Sequence, residues 1–136
     1  MIHILRDDVK TSKRITSAID LFEKIKEIKI DFDRENFVVF YLTQRNTVIN
    51  SEIVFTGAID ACIVDPRVIF RKALLNNAVK IIVAHNHPSG ELEPSSEDID
   101  VAEKLKELGD KLSIKLLDSI IFSKDRFYSL EESERI

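Results

Sequence analysis

The chain has 136 residues, 44% of them hydrophobic and 32% charged, with a net charge of −4. That composition fits a single domain able to bury a real core, and it excludes disordered and fibrous classes. The acidic balance speaks against a broad nucleic-acid surface; no apolar run approaches the roughly 20 residues of a membrane span, and the start lacks a signal-peptide core, so the expected compartment is the cytoplasm.

In chain order, Ile2, Ile4 and Leu5 within Met1 to Lys10 suggest a short edge strand. From Ile15, the apolar residues Ala18, Ile19, Phe22, Ile25 and Ile28 recur at helical spacing, with Thr11, Ser12 or Ser17 available as N-cap. Lys24, Lys26 and Lys29 read as a solvated face and as partners of the last-turn dipole. A polar, acidic connection from Asp31 to Asn36 contains Glu35 immediately before strand-like Phe37 to Leu42. Thr43 to Thr47 reads as a hairpin turn into a second strand, Val48 to Phe55. Thr56-Gly57 marks a bend, after which Ala58 to Val64 is expected to pair as another short strand. The single cysteine, Cys62, has no internal disulfide partner and reads as a small buried side chain.

Asp65-Pro66 is a helix start, an N-cap followed by proline at the first helical position, and the helix runs to Asn76-Asn77. Val79 to Ala84 is a short, β-branched, buried-strand pattern. After a loop with Gly90 and Pro94, a helix from Ser95 to about Leu112 turns Ile99, Ala102, Leu105, Leu108 and Leu112 inward. Gly109 inside it costs on the order of 1 kcal/mol relative to alanine, which implies close packing or an early helix end. Ile114 to Phe122 and Phe127 to Leu130 read as closing strands, and Glu131 to Ile136 as a frayed tail. Helices interspersed with strands and hairpins give an α/β domain, a mixed sheet flanked by about three helices.

The chemistry concentrates in His85-Asn86-His87 and the helix start behind it. Residues two apart on a strand share a face, so His85 and His87 aim at one point while Asn86 faces away. Pro88 stops the ladder. Asp98, in the first turn of the following helix, is placed to turn back to the same point. Two imidazoles and one carboxylate with an open fourth position is the ligand set of a catalytic zinc site. Zinc would lower the pKa of a bound water to about 7 and so supply a nucleophile. Ser95-x-x-Asp98 also reads as a capping box, which on spacing alone is the commoner role of such a pair. His-x-His at a strand end is by itself a weak signal, but this polar run beside a Pro-Ser-Gly loop offers a core nothing.

His85-x-His87, seven residues, Ser95, two residues, Asp98 resembles the JAMM motif of MPN-type metalloproteases. The fuller string, HNHPSG followed by PSSED, resembles the RadC-like branch, and landmarks from about Glu35 onward extend the likeness over most of the chain. The resemblance implies one MPN-type domain over residues 1–136, with the metal at the sheet's edge and no room for the N-terminal helix-hairpin-helix-like region of full-length relatives. It implies Zn²⁺ held by His85, His87 and Asp98, with Glu35 as general base and Ser95 as donor to the oxyanion. Glu52 is a rival acid. Two of the family's usual histidines are replaced here, by Asp65 before Pro66-Arg67 and by Ser119 after Leu117-Asp118. Neither is a motif ligand.

The expected function is therefore zinc-dependent hydrolysis of a peptide or isopeptide bond in an unidentified peptide or protein substrate. The alternatives are a DNA-repair-associated accessory protein, suggested by the RadC name, and an inactive MPN interaction domain. With one cysteine, a zinc deaminase is excluded, since it needs a Pro-Cys-x-x-Cys pattern. The sequence does not specify an oligomeric state.

Overall fold

The computed structural model describes residues 14–58 and 63–136. Helix α1 (Ala18–Ile25) leads to an antiparallel hairpin of β1 (Asn36–Leu42) and β2 (Val48–Thr56). Helix α2 (Pro66–Leu75), strand β3 (Lys80–Asn86), helix α3 (Ser96–Leu112) and the closing strands β4 (Lys115–Phe122) and β5 (Phe127–Ser129) follow. They form one five-stranded sheet in the order β2-β1-β3-β4-β5. β3 is its central strand, antiparallel to β1 and parallel to β4, with α3 making the crossover that a parallel pair requires.

Period-two alternation divides the core. Val38, Phe40 and Leu42 of β1 and Ile82 and Ala84 of β3 pack with Ala18, Leu21, Phe22 and Ile25 of α1. Phe37, Val39, Tyr41, Ile81 and Val83 face the other way, onto Ile69, Phe70 and Ala73 of α2 and Val101 and Leu105 of α3. The sheet is thus a mixed layer with helices on both faces.

Asp65 caps α2 as expected, accepting from the Arg67 backbone N–H at 3.0 Å ahead of Pro66. Gly109 resolves toward close packing. A Cβ there would run into the carbonyl oxygen of Ile114 and lie 3.6 Å from the Phe70 ring, while the helix continues to Leu112.

Other expectations change. Helix α1 ends at Ile25, not near Ile28, and buries Leu21 in place of Ile19, which is 60% exposed. Ser17 has extended backbone but makes no side-chain cap, and Asp20 instead reaches back to the Thr16 N–H at 2.8 Å. Strand β3 runs two residues beyond Ala84, to Asn86, so His85 belongs to the ladder. The Glu131–Ile136 tail is not frayed, because Arg135 N–H donates to the Leu130 carbonyl at 2.8 Å and Ile136 packs on the core. The expected strand over Ala58 to Val64 is not formed at its described flanks: Ala58 lies in a bend and Ile63 in a turn. The rest of it, with Cys62, lies outside the described residues, as do the expected edge strand of Met1 to Lys10 and the Thr11 and Ser12 caps. No helix among the described residues is long and apolar enough to cross a membrane.

Candidate metal centre

His85 sits on the α2/α3 face of β3, continuing the row of Ile81 and Val83, and it is only 2% exposed. Its ring stacks on Phe37, its register partner on β1, with centroids 6.2 Å apart and planes 14° off parallel. His87 lies two residues further on the same side. The loop after it turns back at once, with Gly90 N–H donating to the His87 carbonyl at 2.8 Å and Gly90 at φ +81°, a conformation that favours glycine. That turn brings the Glu91 carbonyl to 3.0 Å from His87 Nδ1. A carbonyl only accepts, so Nδ1 carries the proton, and in the neutral ring Nε2 presents its lone pair.

Asp98 closes the group. Its Oδ1 lies 3.0 Å from His85 Nε2 and its Oδ2 3.0 Å from His87 Nε2. Oδ2 also accepts from the Ser95 backbone N–H at 2.8 Å, while Asp98 N–H donates to Ser95 Oγ at 3.1 Å. The capping box and the three-residue cluster are therefore formed by one carboxylate at the same time. Burial alone would raise the pKa of Asp98, but the two imidazoles and the capping N–H more than offset it and hold the carboxyl well below its usual range. His87 shifts upward, through its hydrogen bond to Asp98, against its partial burial, and with a contribution from the charge of Glu35.

His85 supplies the test of whether a metal fits. Its Nε2 approaches Asp98 Oδ1 off the line a hydrogen bond needs, so both ring nitrogens are buried with no hydrogen-bond partner among the described residues. Buried polar atoms are nearly always satisfied. One ligand-capable atom from each of His85, His87 and Asp98 falls within 4.8 Å of the others. Donors each about 2 Å from one four-coordinate ion lie a little over 3 Å apart, so the donor set and the 3.0 Å spans suit a metal ion with a position left open.

Glu35 immediately precedes β1. Phe37 opposes His85 in the antiparallel register, and continuing that register by two residues sets Glu35 beside His87. The Glu35 backbone is fixed on its other side by Gly57 N–H, which donates to its carbonyl at 3.0 Å. Glu52 is not brought to the site. It lies on β2 opposite Val39, and its carboxylate accepts from Tyr41 Oη at 2.9 Å and pairs with Lys72 at 3.4 Å. Ser95 is exposed at the rim; its oxygen is committed to the cap and its hydroxyl proton is left to donate outward. The site lies at the end of the central strand, not along an edge strand. Asp65 and Ser119 take local roles, a helix cap and a buried strand residue.

Sequence reasoning missed three contributors. Phe37 backs His85, the Glu91 carbonyl orients His87, and a cleft of about 550 Å³ opens beside His87 between Phe32, Ser89, Gly90, Lys124 and Arg126. The first follows from the strand register, which no single segment encodes. The other two need loop geometry.

Comparison with known proteins agrees with this arrangement. The family model described as the RadC-like JAB domain matches residues 8–135. A UPF0758 protein of Methanococcoides burtonii is 38% identical over 131 residues, 96% of this chain and 56% of that protein. Another, from Geobacillus thermodenitrificans, is 46% identical over 99 residues, 73% of this chain and 44% of the relative. One from Shouchella clausii is 42% identical over 118 residues, or 87% and 51%. The chain spans about half the length of these relatives.

Proposed function

Because the chain belongs to the RadC-like JAB domain family and its His85, His87 and Asp98 form a buried group able to hold a metal ion, we propose that it is a zinc-dependent hydrolase of peptide or isopeptide bonds. The observation that carries this reading is the buried His85, without a hydrogen-bond partner among the described residues, facing an ionised carboxylate. The three side chains would hold zinc, which when bound polarises water and the scissile carbonyl.

The chain's own residues do the rest. Glu35, beside His87, takes a proton from the attacking water as its oxygen bonds to the carbonyl carbon. As the C–N bond breaks, Glu35 returns that proton to the leaving amine. Ser95 donates its free hydroxyl proton to the oxygen on which negative charge develops, while its own oxygen is held in place by the Asp98 N–H. The cleft beside His87 admits the polypeptide on one side of the scissile bond. Its Phe32 and Lys124 walls are joined by a cation–π contact of 5.6 Å.

The test pairs composition with activity. Protein purified with metal available should contain about one zinc per chain by elemental analysis. Incubated with a proteome-derived peptide library, it should generate new N-termini that a His85→Ala, His87→Ala double variant does not. Absence of zinc, or equal cleavage by the double variant, rejects the proposal.

A further inference from the structure

The histidine pair is separated by a residue that the metal cluster does not use. Asn86 is completely buried, and strand alternation turns it to the α1 face, away from His85 and His87. Among the described residues its side chain makes no hydrogen bond to either histidine, and it is spent on the segment that carries Glu35. Its Oδ1 accepts from the backbone N–H of Asn36 at 2.9 Å and from Asn36 Nδ2 at 3.1 Å. Its Nδ2 donates to the Arg34 carbonyl at 2.8 Å. Asn36, itself 3% exposed, closes the clasp by donating to the carbonyls of Asp31, at 2.8 Å, and Arg34, at 3.0 Å. The backbone ladder between β1 and β3 ends at this point, and the Asn86 amide carries on where it stops, gripping the residues on either side of Glu35.

We propose that Asn86 is the positioning residue for Glu35: from the back of the sheet it fixes the Arg34–Asn36 backbone to the histidine strand, so that the glutamate is held at the metal end of the opposite face. This rests on the assignment of Glu35 as general base. Asparagine suits the task because one planar amide offers an acceptor and a donor in fixed directions. Alanine offers neither. Serine has one short hydroxyl and does not span both the Asn36 N–H and the Arg34 carbonyl. An aspartate would present two acceptors to the Arg34 carbonyl and repel it.

The experiment uses Co²⁺ as a spectroscopic substitute for zinc in the full chain. Metal content is measured together with the pH midpoint of the visible absorption band, for the unsubstituted protein, Glu35→Gln, Asn86→Ala and the double variant. Asn86→Ser replaces Asn86→Ala should the latter not fold. The expected result is about one metal per chain in all four proteins. Asn86→Ala should move the midpoint in the same direction as Glu35→Gln, and the double variant should move no further than Glu35→Gln alone, since two changes acting through one group do not add. Faster amide exchange at Asn36 should accompany the Asn86 change. An unmoved midpoint in Asn86→Ala while Glu35→Gln shifts it, additive shifts, or loss of metal would overturn the positioning role and leave the base assignment intact. An unmoved midpoint in Glu35→Gln overturns both.

Discussion

Asp98→Asn separates the two duties of one carboxylate. In the unsubstituted chain, Oδ2 serves both His87 and the Ser95 N–H, and Oδ1 faces His85, each imidazole at 3.0 Å. An asparagine has a single oxygen. The cap demands that this oxygen occupy the Oδ2 place, because an amide NH₂ there would oppose the Ser95 N–H donor. The NH₂ group then takes the Oδ1 place, so that a donor group, which cannot ligate, stands where a carboxylate oxygen faced His85. The substitution therefore removes the negative charge and also one of the two oxygens offered to a metal. Changes to groups that merely orient a ligand cost 10–100-fold in metal affinity, so the loss here should be at least about tenfold, roughly 1.4 kcal/mol. The helix cap survives, and the metal-free protein should lose the favourable charge at the helix start, about 0.3–1 kcal/mol, together with the charge pairing of Asp98 to His87 at pH values where that imidazole is protonated. That loss also has a pH signature. Because the folded state depresses the Asp98 pKa, the stability it contributes to the metal-free protein is present above the ordinary value of 3.8 and disappears as pH falls through the folded value. Zinc titration against a competing chelator, with urea melts of the metal-free forms, measures both halves. Unchanged zinc affinity with a large drop in stability would mean that Asp98 is a capping residue and nothing more.

Three other outcomes follow from the same geometry. Glu35→Gln should keep zinc near one per chain and lower hydrolysis on the order of 10²-fold or more, while Glu52→Gln should leave hydrolysis intact and cost only its bonds to Tyr41 and Lys72; the reverse ranking in a peptide-cleavage assay would transfer the base role to Glu52. Asp98 raises the His87 pKa above the ordinary 6.5, so protons compete with metal: affinity should fall as pH drops through the raised value, while the metal-free protein loses the stability of the His87–Asp98 pair over the same range as pH rises. Pulsed metal titrations at pH 6 and pH 8 giving equal affinity would contradict this. Gly109→Ala gains about 1 kcal/mol of helix propensity but drives a methyl into the Ile114 carbonyl, an overpacking cost of about 1–3 kcal/mol against backbone that cannot swing aside, so urea melts should show net destabilisation.

The fold was legible wherever a local signal and burial agree. The Asp65-Pro66 start of α2, the apolar run of β1 and the α3 stripe up to Leu108 needed only neighbours in sequence to be read, whereas Leu112, expected inward with them, is 52% exposed. Errors arose where tertiary contact overrides local pattern. Helical spacing picked out Ile19 and passed over Leu21, and only the position of the sheet decides that Leu21 goes inside. The final residues look polar enough to fray, yet Ile136 finds apolar neighbours and Arg135 N–H finds the Leu130 carbonyl, partners that are invisible without the sheet. At the site, the pairing of His85 with His87 and the return of Asp98 are short-range facts, encoded by strand period and helix start. The approach of Glu35 is a long-range fact, set by the Phe37–His85 register. A resemblance to a family can suggest it, but periodicity cannot.

The competition between capping and ligation over Ser95 and Asp98 also has a physical resolution. A carboxylate placed at a helix N-terminus to accept N–H groups is already dehydrated on one side, charged, and fixed in rotamer. Those are the properties a metal ligand needs if it is not to lose side-chain entropy on binding. The same holds on the strand, where period two assigns His85 to one face and Asn86 to the other, so that a single tripeptide aims ligands forward and, through its middle residue, anchors the neighbouring strand end behind. Local structural devices and the candidate chemistry thus draw on the same atoms. Substitutions at Asn86, Ser95 or Asp98 should therefore be read with a stability measurement beside every activity measurement, because at each of these positions a loss of function has two separable causes.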